Sequence, residues 1–366
     1  MQNLYALIVS CLFFLIVLPA SGQDQKEQYA SYAEIAKYCQ HYEPRFTVYD
    51  VSRLEEAFGI SGSDKTLDNL NNFFSDFQHA FELHTERTRE EALDFLHTTD
   101  SLLKIYFYHK EGFFLNRLVS DVYPGISCYQ RTLIYNSLAK LYPFEVYPVL
   151  ASDDHIFIRI KIKTEDCFVN WETNTGLSRP DAYYMKKYQL SPQAIENGCY
   201  LRNLNDSEAM APLYRYMAFC TYKTNSNIDE LHAFMLHSYK QDSLCLGIAR
   251  ALAWAHALKS DYDAAFSMIH KTFQLDSMNI GNYYTLGLIY ERKGNFNSAR
   301  DCYHKILKHE PDHAASLYRL GIIAIEGQEE ERFDKILKRL KELDWKGVIY
   351  HYNLEEEWKI KNTKDG

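Results

Sequence analysis

Gly125-Ile-Ser-Cys128-Tyr-Gln-Arg-Thr-Leu-Ile-Tyr135 is the stretch around which the chain is organised. Two downstream segments answer it: Asp154-His155-Ile-Phe-Ile-Arg-Ile160 and Phe168-Val-Asn-Trp-Glu172-Thr-Asn174. After Cys128, residues Leu133, Ile134, Leu138, Ala139 and Leu141 recur at the spacing of one helix face, which places the thiol at or near the first turn of a helix. The partial positive charge of a helix start favours a thiolate there. From His155 to Ile160 the side chains alternate, predicting a strand with His155, Phe157 and Arg159 on one face and Ile156, Ile158 and Ile160 on the other. Lys163-Thr-Glu-Asp166 then supplies a turn, and Phe168 to Glu172 returns as the second strand of a hairpin. Helix and antiparallel strands together set the class of this part of the chain as α+β.

Folding the hairpin about its turn brings His155 opposite Glu172, or opposite Asn174 if the loop is two residues longer. Both registers keep the two side chains on one face. A base with an orienting carboxylate or amide on the next strand, and a thiol at a nearby helix start, is the arrangement that nucleophilic acyl transfer requires. A cysteine before an apolar helix and a histidine in a strand each also fit a purely structural role.

In these residues the chain resembles the transglutaminase-like superfamily of papain-type cysteine enzymes, most of all bacterial members that end in tetratricopeptide repeats. Gly125-x-x-Cys128 followed by Leu133 and Tyr135 looks like the family's cysteine-bearing helix start. Asp154-His155-Ile-Phe-Ile-Arg159 looks like its histidine strand, and Asn170-Trp171-Glu172-Thr173 like its acidic strand. The likeness runs from about Glu111 to Leu190. It implies a papain-like core with Cys128 as nucleophile, His155 as base and Glu172 as the orienting acid, Asn174 being the alternative third member. Asn116, Arg131 and Trp171 are assigned to the oxyanion site and cleft. Two departures stand out: Glu172 occupies a place usually held by Asp, and Arg131 one where small residues are frequent.

Residues 1–22 read as a signal peptide, with an apolar run from Leu4 to Leu18 ahead of Pro19-Ala20-Ser21-Gly22. An uncleaved anchor is the alternative, and either places the protein outside the cytoplasm, periplasmic or secreted, with a membrane involved only through that segment. With 46% hydrophobic and 24% charged residues, the rest can bury more than one core. A net charge of −9 without a basic cluster argues against nucleic acid as partner. Of the eight cysteines, Cys11 lies in the leader, so an odd number remains and at least one thiol stays free. No Cys/His cluster has metal-ligand spacing, and neither a metal nor another cofactor is expected.

Residues 23–110 form a helical N-terminal subdomain. Leu67, Leu70, Phe74, Phe77 and Phe81 make one stripe, and a second helix after Thr88 is expected to break around Thr98 to Asp100. His79, His84 and His97 read as surface residues. The catalytic-type core spans 111–205, and connecting helices fill 206–243. Residues 244–345 carry the clearest periodicity, because Gly247–Asp276, Gly281–Glu310 and Ala315–Asp344 superpose at 34 residues, the tetratricopeptide period. The middle copy holds Tyr283, Leu286-Gly287, Tyr290, Gly294, Ala299, Tyr303, Ile306 and Pro311. The third has Phe333 where a small residue belongs, and 346–366 reads as a tail. The array predicts an all-α solenoid that binds a protein partner.

Two functions follow. One is a cysteine hydrolase or acyltransferase acting on an amide of a peptide or protein substrate. The other is an inactive relative that serves as an interaction scaffold.

Overall fold

The computed structural model describes residues 64–81, 88–107, 128–142, 144–343 and 353–361. The leader, Asn116 and the rest of 108–127 lie outside them. The described chain divides into two compact units that meet, in sequence, after Ile248.

The first unit begins with α1 (Asp64–Ala80) and α2 (Arg89–Phe107). Phe74, Phe77 and Phe81 come from the stripe read in the sequence, and they bury together with Phe73, Phe95 and Phe144. Phe95 lies 4.8 Å from Phe144 and 5.7 Å from Phe77, centroid to centroid. Burial of each such ring stabilises by roughly 1.5–3 kcal/mol. The break expected at Thr98 to Asp100 is not there. Thr99 turns its hydroxyl back onto the Phe95 carbonyl at 2.7 Å, and Asp100 is buried as acceptor for the Tyr135 hydroxyl at 2.5 Å, so both polar groups are satisfied without leaving the helix.

Next come α3 (Cys128–Leu141) and four strands: β1 (Val146–Ser152), β2 (His155–Ile162), β3 (Cys167–Glu172) and β4 (Leu177–Ser178). They form one antiparallel sheet in the order β1-β2-β3-β4. α3 packs against β1 and β2, and the Trp171 indole N–H donates to the Tyr135 hydroxyl at 3.2 Å. Ile156, Ile158, Ile160 and Trp171 are all buried. On the alternate positions, Tyr184 of α4 (Asp181–Lys187) lies flat on Phe157, 4.1 Å away with planes 2° apart.

After α5 (Pro192–Glu196), the long helices α6 (Asp206–Asn225) and α7 (Ile228–Gln241) form an antiparallel pair. A capping box at Asn205 and Glu208 starts α6, and Asn227 caps α7. The sequence reading made these helices a connector. They belong to the same compact unit as the sheet.

The second unit is built of helix pairs. α8 (Leu246–Leu258, of which residues 246–248 belong to the first unit), α10 (Ile280–Arg292) and α12 (Ala314–Glu326) alternate with α9 (Tyr262–Leu275), α11 (Phe296–His309) and α13 (Glu330–Glu342). Both series start at intervals of 34 residues, the spacing seen in the sequence. A β-carbon at Gly287 would stand 2.7 Å from the Tyr303 ring, so only glycine lets α11 seat that buried tyrosine on α10. The stretch read as a tail carries another helix, α14, over residues 353–361. Its Trp358 stacks on Phe333 at 4.5 Å, and Leu354 is fully buried beside Gly321. Phe333 is large because it receives this capping helix.

Candidate active site

Cys128 is the first residue of α3, half-buried, and its sulfur lies 3.9 Å from the Asp154 carbonyl oxygen. Cys128, Cys167 and Cys199 are free thiols. His155 opens β2 at the end of the two-residue turn that follows β1, so the imidazole sits at the sheet rim beside the start of α3. Its Nε2 is 2.7 Å from Glu172 Oε2, with both residues buried. Nε2 being engaged there, Nδ1 is the nitrogen that remains for the thiol.

The hairpin register explains which acid reaches the ring. Arg159 pairs with Asn170 and Ile162 with Cys167, which leaves a four-residue loop at 163–166. This is the longer-loop register. Continued upward, it sets position 174 across from His155, but β3 ends at Glu172 and Asn174 lies exposed in the following turn. Its backbone N–H points back at Glu172 Oε1, 3.4 Å away. Glu172 therefore reaches His155 from the diagonal position, where its extra methylene relative to Asp supplies the length.

Burial alone would keep the His155 ring neutral. The hydrogen bond and charge of Cys128, followed by those of Glu172, outweigh that penalty and raise the imidazole to about 9. The α4 tyrosines close over this face. Tyr188 follows the helix and stacks on His155 at 5.6 Å, with planes 30° apart. Its hydroxyl is pushed up by burial first and then by the charges of Glu172 and Cys128. Arg159, two positions along the same face, donates to Asn170 and Asp181, each at 2.7 Å, and to the Leu201 carbonyl and Asn203 at 3.0 Å. It ties α4 and the 201–203 segment onto the strand that carries His155.

The cleft assignments divide. Arg131, one turn into α3, donates from Nη1 to the Thr173 carbonyl at 3.3 Å, so it joins the cysteine helix to the turn after Glu172. Trp171 is not in the cleft. It is 2% exposed, bonded to Tyr135 and edge-on to His97 at 5.0 Å. Strand alternation requires this, since neighbours of Glu172 in β3 point to the opposite face. Asn116 lies outside the described residues.

Among the described residues of the second unit, the charged groups knit repeat to repeat. Glu291 accepts two bonds from Arg319 and one from the Tyr303 hydroxyl. An open depression of about 530 Å³ is lined by Phe266, Tyr290, Lys293, Gly294 and Asn295. None of the residues around Cys128 borders it. Together with the 34-residue interval and the Gly287–Tyr303 contact, this is the packing of a helical repeat. Residues 281–313 match the tetratricopeptide repeat family. No curated protein matches the chain in sequence. The repeat implies protein–protein interaction as a role of this unit.

Sequence reasoning missed three participants near Cys128. Tyr188 lies four residues after Tyr184, a spacing that puts both on one helix face. Arg159 was visible as a charged residue sharing a face with His155. Arg215, on α6, gave no local signal at all. It donates from Nη2 to the Asp153 carbonyl at 3.1 Å and lies 3.6 Å from the Asp154 carboxylate.

Proposed function

We propose that the chain is a cysteine hydrolase or acyltransferase of transglutaminase-like type, exported from the cytoplasm. It would act on an amide of a peptide or protein and engage a protein partner through its repeats. The observation that carries this reading is the Glu172–His155 bond, buried and 2.7 Å long, in an imidazole that also borders Cys128.

In this mechanism His155 takes the Cys128 proton, and the thiolate attacks the amide carbonyl to form a C–S bond and an oxyanion. The Cys128 backbone N–H, in the first turn of α3, is suited to receive that oxyanion by the logic of a helix start. The C–N bond then breaks, with the leaving amine collecting the proton from His155. Water or an incoming amine, deprotonated by the same ring, resolves the thioester. Glu172 holds the ring in orientation and offsets its charge throughout.

The test is iodoacetamide labelling of the mature protein across pH, with sites read by mass spectrometry, alongside Cys128→Ser and His155→Ala. Rapid labelling of Cys128 at a pH below about 8.5, the ordinary thiol value, and its loss in His155→Ala, is the expected result. Slow labelling indifferent to His155 sinks the catalytic reading. A second reading, an interaction scaffold without chemistry, is supported by the repeat match at 281–313 and would then stand.

A further inference from the structure

The turn between β1 and β2 consists of Asp153 and Asp154, and it bears on the site at two points. The Asp154 carbonyl faces the Cys128 sulfur, and the next residue is His155. Such a short turn sets its own hydrogen bonds locally, yet this one is held mainly from far along the chain. Arg215 of α6 donates to the Asp153 carbonyl and faces the Asp154 carboxylate. The Asp153 carboxylate accepts the Tyr200 hydroxyl and the backbone N–H of Gly247, in the first turn of α8, both at 3.0 Å.

The fit is close. A β-carbon at Gly247 would lie 2.5 Å from Arg215 Nη1 and 3.2 Å from the Asp153 side chain. Burial opposes the Arg215 charge, and the charge of Asp154 does most to restore it, with Cys245, Tyr129 and Asp153 also contributing. Tyr129, next to Cys128, is thus within the field of the same guanidinium. The ion pair between Arg215 and Asp154 is largely withdrawn from water, so its geometry is stiff in a way an exposed pair is not.

We propose that Arg215 is a positioning residue for Cys128 and His155, acting through the Asp153–Asp154 turn, and that Gly247 is glycine so that residues 246–248, part of the same unit, can lie against this clamp. The proposal rests on the reading of Cys128, His155 and Glu172 given above. It makes α6 and the start of α8 part of the site's back wall. The groups bearing on the imidazole are then Cys128 from α3, Glu172 from β3 and the tyrosines of the α4 region, with Asp154 against the Cys128 sulfur and Arg215 behind it.

Two substitutions in the full chain test it, and both keep the positive charge, so any change reports geometry. Arg215→Lys replaces a planar guanidinium, whose Nη2 serves both the carbonyl and the carboxylate while Nη1 faces Gly247, by a compact ammonium without that second nitrogen. Gly247→Ala adds one methyl against the guanidinium while favouring the helix locally. The readouts are the His155 titration midpoint, by NMR of labelled histidine, and the Cys128 alkylation rate at pH 7.

In either variant the midpoint is expected to fall from about 9 towards about 6.5, the free-imidazole value. The alkylation rate should drop about tenfold or more. Folded variants that titrate and react as the wild type overturn the clamp. Should Arg215→Lys not fold, Gly247→Ala alone decides. If the wild-type thiol proves inert, the catalytic reading fails, while the His155 midpoint still tells whether the clamp exists.

Discussion

Replacing Glu172 with glutamine removes one charge from the site and almost nothing else. The amide keeps the length of the side chain and can accept from His155 Nε2 across the 2.7 Å now spanned by the carboxylate. What is lost is the charge assistance. A hydrogen bond to a charged group contributes about 1.5–3 kcal/mol, and about 1.4 kcal/mol corresponds to one pH unit. The His155 midpoint should therefore fall by about one to two units, from about 9 to between about 7 and 8.

The same change alters stability in a fixed direction. The folded ring holds its proton to higher pH than free imidazole, whose value is about 6.5. Its contribution, at most about 3 kcal/mol, is therefore fully present below about 6.5 and is lost as pH rises through about 9. In Glu172→Gln that loss should be smaller and complete at a lower pH. Histidine NMR measures the midpoint, and urea unfolding at pH 6, 8 and 10 measures the stability. An unchanged midpoint in Glu172→Gln, or an equal drop in Asn174→Ala, would refute the assignment of Glu172 as the partner.

Three other substitutions test the frame. Phe333→Ala deletes a ring that is 3% exposed and stacked on Trp358, so it should cost about 3–4 kcal/mol; a loss below about 1 kcal/mol in urea unfolding would mean that α14 does not cap the repeats. Gly287→Ala should destabilise by about 1–3 kcal/mol despite alanine's better helix propensity, because its methyl meets the Tyr303 ring, and pairing it with Tyr303→Leu should recover most of the loss. Asp100→Ala leaves the buried Tyr135 hydroxyl without its side-chain acceptor and should cost about 1–3 kcal/mol by thermal melting, whereas a neutral result would show that water takes its place.

Much of the local structure was legible. The apolar spacing after Cys128 marks a helix, and the structure holds Cys128–Leu141 as α3. Alternation marks β2, and its polar loop closes the hairpin. Periodicity marks the repeats, where Gly287 and Tyr303 fall at the positions their packing requires. Trp171 was misplaced even though the signal was present, since alternation alone sets it opposite Glu172. The unbroken course of α2 through Asp100 was not readable, because Asp100 there accepts from the Tyr135 hydroxyl, and Tyr135 lies on another helix. Phe333 looked like decay of the repeat until Trp358 supplied its partner.

By itself the sequence determined the elements and their periods: the cysteine helix, the histidine strand, the returning acidic strand and the 34-residue array. Those follow from side-chain spacing over a few turns or one hairpin, where near neighbours dominate. Only the tertiary structure decided that Glu172 reaches His155 diagonally, because one shift of register, invisible in composition, exchanges its position with that of Asn174. Only it brought Arg215 and Gly247 onto the Asp153–Asp154 turn, because contacts between segments so far apart are set by how helices pack and leave no local pattern in the chain.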